Sequence, residues 1–281
     1  MSLLDGKVAI VTGAGGGLGR CHALALAKEG AKVLVNDLGG ARDGSGSAKG
    51  PADNVIEEIK AAGGSAVANY DSVGTVAGAN NIVAAAVDAF GRVDVLVNNA
   101  GILRDKTLLK MEEDWWDAVI NVHLKGTFAV SQAAARRMAE QVANGTADGG
   151  RIINTSSIAG LVGNFGQSNY GAAKAGIAGF TRVTALELAK FKITVNCIVP
   201  IAKTRMTEDI PVVPDSMRPE CVSPLVVFLA SDLAAGVTGK LFAIQGKEMR
   251  EFKYKITDGA TAAGDLWTPH EIADRLKEIT A

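Results

Sequence analysis

Tyr170 and Lys174 are four residues apart, and Ser157 lies thirteen residues before the tyrosine, in Asn154-Thr155-Ser156-Ser157 and Tyr170-Gly171-Ala172-Ala173-Lys174. A spacing of four puts tyrosine and lysine on one face of a helix, a turn apart. An ordinary phenol, with a pKa of about 10, is a poor proton carrier near neutral pH. A neighbouring ammonium favours the phenolate and is expected to draw that pKa towards the working range. The pair could then take a proton from an alcohol oxygen or return it. The Ser157 hydroxyl, or Ser156 as second choice, could hold that oxygen. Tyrosine and lysine are common, so the pattern gains weight only from what surrounds it.

A second group of residues could hold a redox cofactor. An apolar stretch at 7–11 runs into Thr12-Gly13-Ala14-Gly15-Gly16-Gly17-Leu18-Gly19 and then a helical pattern. Glycines after a strand and before a helix let the backbone turn tightly and approach a pyrophosphate at the positive helix N-terminus. Asp37 ends the next strand, eighteen residues after Gly19. A carboxylate there accepts hydrogen bonds from ribose hydroxyls and repels an extra 2′-phosphate, so the expected cofactor is NAD rather than NADP. Arg20 and Arg42 are the two residues that could overturn this choice.

Short apolar, β-branched runs at 7–11, 32–36, 65–69, 93–98, 151–155, 194–198 and 241–244 read as strands covered on both faces. Helical patterns fall between them at about 18–29, 52–62, 76–90, 114–143, 168–190 and 219–230. Such alternation predicts one α/β domain, a doubly wound parallel sheet of seven strands with helices on both faces. The expected division is 1–245 for this domain and 246–281 for a C-terminal extension. The extension mixes charge with Met249, Phe252 and Tyr254 and then predicts an amphipathic helix at 269–279. It reads as a cover on the same domain, a subunit contact or a substrate-recognition element. The Gly/Ser-rich loop 38–51 is long for a strand-to-helix connection and reads either as a surface insertion or as a neighbour of a cofactor's adenosine end.

Among 281 residues, 29 basic side chains face 30 acidic ones. That balance gives no electrostatic case for nucleic acid or an anionic membrane as a partner. The apolar runs are far short of the ~20 residues that span a bilayer, and the start lacks the pattern of a secretory signal. Cys21, Cys197 and Cys221 are scattered and show no metal spacing, which points to a reducing compartment and a cytoplasmic protein.

Thr12-Gly13-x-x-x-Gly17-x-Gly19, Asn98-Asn99-Ala100-Gly101, Asn121 in Asn121-Val122-His123-Leu124-Lys125-Gly126, and the Ser157/Tyr170/Lys174 set together resemble the short-chain dehydrogenase/reductase family over roughly residues 5–245. The stretches Asn36-Asp37-Leu38-Gly39-Gly40, Ala68-Asn69-Tyr70-Asp71-Ser72-Val73, Ile102-Leu103-Arg104-Asp105 and Gly163-Asn164-Phe165-Gly166-Gln167 are similar to one branch. That branch is the (3R)-hydroxyacyl-CoA dehydrogenase domain of the peroxisomal multifunctional enzyme of fatty-acid β-oxidation. The resemblance implies a Rossmann-type fold and a catalytic set of Asn121, Ser157, Tyr170 and Lys174. It implies cofactor contacts from Gly13, Gly15, Gly17, Leu18, Gly19, Asp37, Asp71, Ser72, Asn99, Ala100, Gly101, Tyr170, Lys174, Pro200 and Thr204. Within that set Asp71 would contact the adenine, Lys174 the nicotinamide ribose and Thr204 a phosphate or the carboxamide. The family's Pro-Gly after the sixth strand is here Pro200-Ile201-Ala202-Lys203-Thr204.

The implied activity is hydride transfer between NAD and a small-molecule secondary alcohol, with an acyl-CoA thioester foremost. Another secondary alcohol, such as a steroid or an aromatic intermediate, and a non-catalytic dinucleotide-binding subunit are the competing readings. The resemblance also implies a homodimer or homotetramer built through the helices bearing Asn121 and Tyr170. Residues 204 to about 217, rich in proline, are expected to form a substrate lid. His22, Cys21 and His270 read as packing or helix-end residues, His123 as a minor catalytic candidate, and Trp115-Trp116 as a core or interface pair.

Overall fold

Alternate residues of the inner strands bury themselves on opposite faces of a single sheet. Ala9, Val11, Val33, Val35, Val95 and Val97 belong to one apolar cluster, and Val8, Ile10, Leu34, Leu96, Ile152 and Val195 to the other. Two covered faces are why these strands carry unbroken apolar runs. The computed structural model describes residues 2–204, 214 and 216–281. Its strands are β1 (Val8–Thr12), β2 (Lys32–Asn36), β3 (Ser65–Asn69), β4 (Val95–Asn98), β5 (Gly150–Thr155), β6 (Ile193–Ile201), β7 (Leu241–Gln245) and β8 (Glu248–Glu251). The longer helices are α1 (Gly17–Lys28), α2 (Gly50–Ala61), α3 (Val76–Phe90), α4 (Glu113–Ile120) and α5 (Gly126–Ala143), followed by the short α6 (Ile158–Leu161), then α7 (Ser168–Leu188) and α8 (Ser223–Ala230). Residues from α1, α2 and α8 pack in the first cluster, and residues from α3, α5 and α7 in the second.

The strand order is β3-β2-β1-β4-β5-β6-β7-β8, with every neighbouring pair parallel except β7 and β8. The sheet therefore has eight strands where seven were expected. The eighth lies in the stretch taken for extension. Gly246 adopts φ +54 and lets the chain reverse through a two-residue turn, so that Gln245 pairs with Glu248. All four β8 residues are exposed and mostly charged, so no apolar pattern marks them. A second difference lies in the expected helix at 114–143. It is broken by a widened π turn, Asn121–Lys125, between α4 and α5.

The chain winds outward in one direction from β1 and in the other from β4, which are neighbours. In open α/β sheets a crevice forms at that point, beyond the carboxyl ends of the strands. Beneath it a polar network crosses the core. Asn98 Nδ2 donates to Ser131 Oγ at 2.8 Å and to Asn154 Oδ1 at 2.9 Å, and Asn154 Nδ2 donates to Thr181 Oγ1 at 2.9 Å. The network ties β4, β5, α5 and α7 into one register.

The chain divides into two units, Met1–Glu251 and Phe252–Ala281. The smaller unit carries α9 (Pro269–Asp274) and α10 (Leu276–Thr280) in place of the single helix expected there. Within it Thr268 caps α9 through Glu271 N, and Arg275 pairs with Glu278 and lies 5.4 Å from the Trp267 ring centre.

Replacing Asn98 by Leu leaves Ser131 and Asn154 buried without this partner. The expected loss of stability is about 2–4 kcal/mol in a denaturant titration. A loss under 1 kcal/mol would mean that the network does not hold the register.

Candidate active site

The chain leaves β5 at Thr155 and places two serines in succession. Ser156 is buried, and its hydroxyl donates to the Lys174 backbone carbonyl at 2.7 Å, which fastens α7 to the end of β5. Ser157 is extended and caps α6, its Oγ accepting from Ala159 N at 3.3 Å. The close packing of α6 on α7 depends on Gly160. A Cβ there would lie 2.5 Å from Ala175 N and 2.6 Å from the Lys174 carbonyl carbon. Through that contact Ser157 comes beside Tyr170, close enough for its hydroxyl to favour the phenolate. Ser156 is bonded inside, whereas Ser157 lies beside the tyrosine.

Lys174 is almost wholly buried. Its Nζ donates to Thr155 O at 2.7 Å and lies 5.5 Å from the centre of the Tyr170 ring. Burial pulls the Lys174 ammonium down to about 8. Burial also pushes the Tyr170 phenol up to about 12, against the neighbouring Ser157 hydroxyl, which lowers it. The expectation that the lysine draws the tyrosine down is therefore corrected. Removal from water penalises the phenolate more than its surroundings favour it.

Two buried residues position this centre: His123, read from the sequence as a minor catalytic candidate, and Asn169, which sequence reasoning missed. His123 stands edge-on to Tyr170, with ring centres 5.1 Å apart. Its Nε2 lies 3.0 Å from Ile102 N and 2.8 Å from Ile102 O, and burial pulls its pKa down to about 3, so the ring is neutral. A Cβ at Gly101 would come within 2.3 Å of the His123 ring, so glycine is required there. Asn169 is fully buried; its Oδ1 accepts from Tyr170 N at 2.7 Å and its Nδ2 donates to Arg104 O at 2.8 Å. Only the polar type of Asn169 beside the tyrosine could have hinted at this. Asn121 sits at the start of the widened turn with its residue exposed.

Next to this centre lies a cleft of about 390 Å³ at the switch point of the sheet. Of the expected cofactor residues, Gly13, Gly15, Gly17, Leu18, Asp37, Asp71, Ser72, Asn99, Ala100, Gly101 and Thr204 line it, whereas Gly19, Pro200, Tyr170 and Lys174 do not. Gly19 serves from beneath: a Cβ there would meet Gly13 O at 2.1 Å and Asn99 Nδ2 at 2.5 Å. Pro200 lies within β6. The α1 N-terminus carries no side-chain cap, so its first N–H groups are free to take an anion. Asp37 accepts from Gly15 N at 2.7 Å and from Gly39 N at 2.6 Å. Asp71 is held by Asn81 at 3.0 Å and Asn69 at 2.7 Å. Open amides at the helix start and carboxylates at the strand ends fit a dinucleotide.

Residues from the 38–51 loop line the same cleft, among them Leu38, Gly40 and Gly44. The two arginines that bore on cofactor choice are not among the residues lining this cleft. Arg20 pairs with Glu58, and Arg42 lines a separate open cleft with Arg104, Asp105 and Trp115. Most of the expected lid, including Pro211, lies outside the described residues.

A family profile described as short chain dehydrogenase matches residues 7–212. The yeast (Saccharomyces cerevisiae) peroxisomal hydratase-dehydrogenase-epimerase is 46% identical over 98% of this chain, which spans 30% of that protein. A hydroxyacyl-CoA dehydrogenase of Mycobacterium tuberculosis is 42% identical over 99% of this chain and 90% of its own length. A crystal structure of a short chain dehydrogenase from Mycobacterium avium superposes with a TM-score of 0.90 at 49% identity, covering 99% of this chain and 96% of the other.

A buried lysine whose pKa is lowered opposes folding wherever the unfolded chain holds its proton more tightly. Lys174→Met is accordingly expected to raise the Tm at pH 7 by on the order of 3 °C. The gain should fade as pH rises from about 8 towards the ordinary lysine value of 10.5. A Tm gain independent of pH, or a loss at pH 7, would contradict the burial argument.

Proposed function

Starting from the fact that the chain belongs to the short-chain dehydrogenase family, whose members bind a nicotinamide dinucleotide and act as oxidoreductases on CH–OH groups, we propose that it is an NAD-dependent 3-hydroxyacyl-CoA dehydrogenase. The observation that carries the reading is Tyr170 over buried Lys174 with Ser157 beside it, packed through Ile102 against the cleft. The NAD assignment rests on Asp37 and on the cleft lining, which includes no Lys or Arg among the described residues. The acyl-CoA assignment is supported by the likeness to the M. tuberculosis hydroxyacyl-CoA dehydrogenase over nearly all of both chains.

Bound NAD supplies the hydride acceptor, which the protein lacks. Ser157 donates a hydrogen bond to the substrate oxygen and steadies the charge that develops there. Tyr170, as phenolate, takes the hydroxyl proton in oxidation and returns it in reduction. Lys174 would hold the ribose hydroxyls, and its charge acts on the phenol only against the cost of burial. Asn121 would hold a water that links Lys174 to solvent. Neutral His123 and Asn169 keep the tyrosine in place without exchanging protons.

We also infer a homodimer or homotetramer. Phe128 on α5 and Val183 and Leu186 on α7 are exposed apolar side chains, and Phe128 meets Phe180 of α7 with ring centres 6.5 Å apart. The three free cysteines support a reducing, cytoplasmic setting.

Tyr170→Phe should bind NADH with a Kd within about threefold of the parent yet lose roughly 10²–10⁴-fold in turnover of a 3-hydroxyacyl-CoA, followed as NADH formation. Retained turnover would show that another group moves the proton. In the same assay kcat/KM with NAD should exceed that with NADP by about tenfold or more. Equal use of both would remove the NAD assignment.

A further inference from the structure

Residues 38–50 leave β2 and enter α2, yet their tip is fastened beyond β4. Leu103 N donates to Arg42 O at 2.9 Å, and Arg104 Nε donates to Asp43 O at 2.8 Å. Because β1 lies between β2 and β4, this segment must cross the carboxyl end of β1, where the glycine turn opens into the cleft. Gly44 at φ +85 rests on Ile102, and a Cβ there would be 3.0 Å from Ile102 Cδ1. The segment carries five glycines, at 39, 40, 44, 46 and 50, and bonds of its own that close its loop, among them Ala41 N to Ser45 O at 2.8 Å and Ala48 N to Leu38 O at 3.1 Å. So glycine-rich a segment loses much chain entropy on ordering and needs external anchors to stay in place.

We propose that Arg104 is a positioning residue that fastens residues 38–50 as a strap over the dinucleotide cleft and so sets how fast the dinucleotide leaves. The inference rests on the dinucleotide reading of the cleft given above. Arg104 suits the role because its anchor is rigid. Its carbonyl accepts from fully buried Asn169, which also holds the Tyr170 amide at 2.7 Å. Its guanidinium gives the Asp43 carbonyl a charge-assisted bond, stronger than one from a neutral amide. The strap and the turn bearing the tyrosine thus share one support.

The test is the release of NADH, read by stopped-flow fluorescence on chasing the binary complex with excess NAD. Arg104→Ala should release NADH about tenfold faster, the effect of losing one charged hydrogen bond. Gly44→Val breaks the strap from its own side, by strain at positive φ and a clash with Ile102, and should speed release in the same way if Arg104→Ala does not fold. Asp114→Asn removes only the ion pair that Arg104 makes at 3.7 Å and should keep the parent rate. Parent-like release from both strap variants overturns the strap. Faster release from Asp114→Asn equal to that of Arg104→Ala overturns it too, since α4 would then be the cause. Failure of the parent to bind NADH overturns the dinucleotide reading itself and the strap with it.

Discussion

One buried cation sets the terms for the site. The Lys174 ammonium has left water almost completely and lies beneath Tyr170, with Thr155 O at 2.7 Å as its acceptor. A charge in that position is costly unless it is bonded, and β5 must end where it does to offer that carbonyl. The same stretch, one residue on, sends the Ser156 hydroxyl into the Lys174 backbone and, two residues on, turns Ser157 towards the phenol. Gly160 lets α6 approach α7 closely enough for this to happen. Helix, strand end and both serines are parts of one arrangement around one ammonium.

The polar centre and the cleft beside it meet at residues 101–104. His123 holds Ile102 by backbone contacts and stands against Tyr170. Arg104 reaches the loop that lines the cleft, and Asn169 joins Arg104 to the tyrosine amide. The segment after β4 is thus wedged between the cofactor side and the acid–base side. Its geometry is set by buried, neutral side chains, which can hold a backbone firmly without adding charge to a site where charge is already expensive.

Much of this was legible in the residues. Strands covered on both faces must be apolar at every position, as in Val33-Leu34-Val35, and β2, β3 and α3 fall at their expected bounds. The glycine turn follows β1 and opens α1, Asp37 follows β2, and Tyr170 and Lys174 lie a turn apart on α7, as their spacing predicts. Strand β8 was not legible, because an exposed edge strand of charged residues has no apolar period. The break at Asn121 was hidden because a widened turn keeps a helical pattern on either side. Loop 38–51 could be read two ways until its tip was seen bonded to Leu103 and Arg104. The protonation of Tyr170 went the opposite way from expectation because burial is a property of the packed molecule and not of a four-residue spacing.

The balance between burial and the lysine charge can be measured directly, because the chain holds only three tyrosines, Tyr70, Tyr170 and Tyr254. Tyrosinate absorbance of the cofactor-free protein, with that of the Tyr170→Phe protein subtracted, isolates the titration of one phenol. Burial in control places its midpoint well above the ordinary tyrosine value, at about 12. A midpoint at or below about 10 would show that Lys174 outweighs desolvation and would contradict this account of the site.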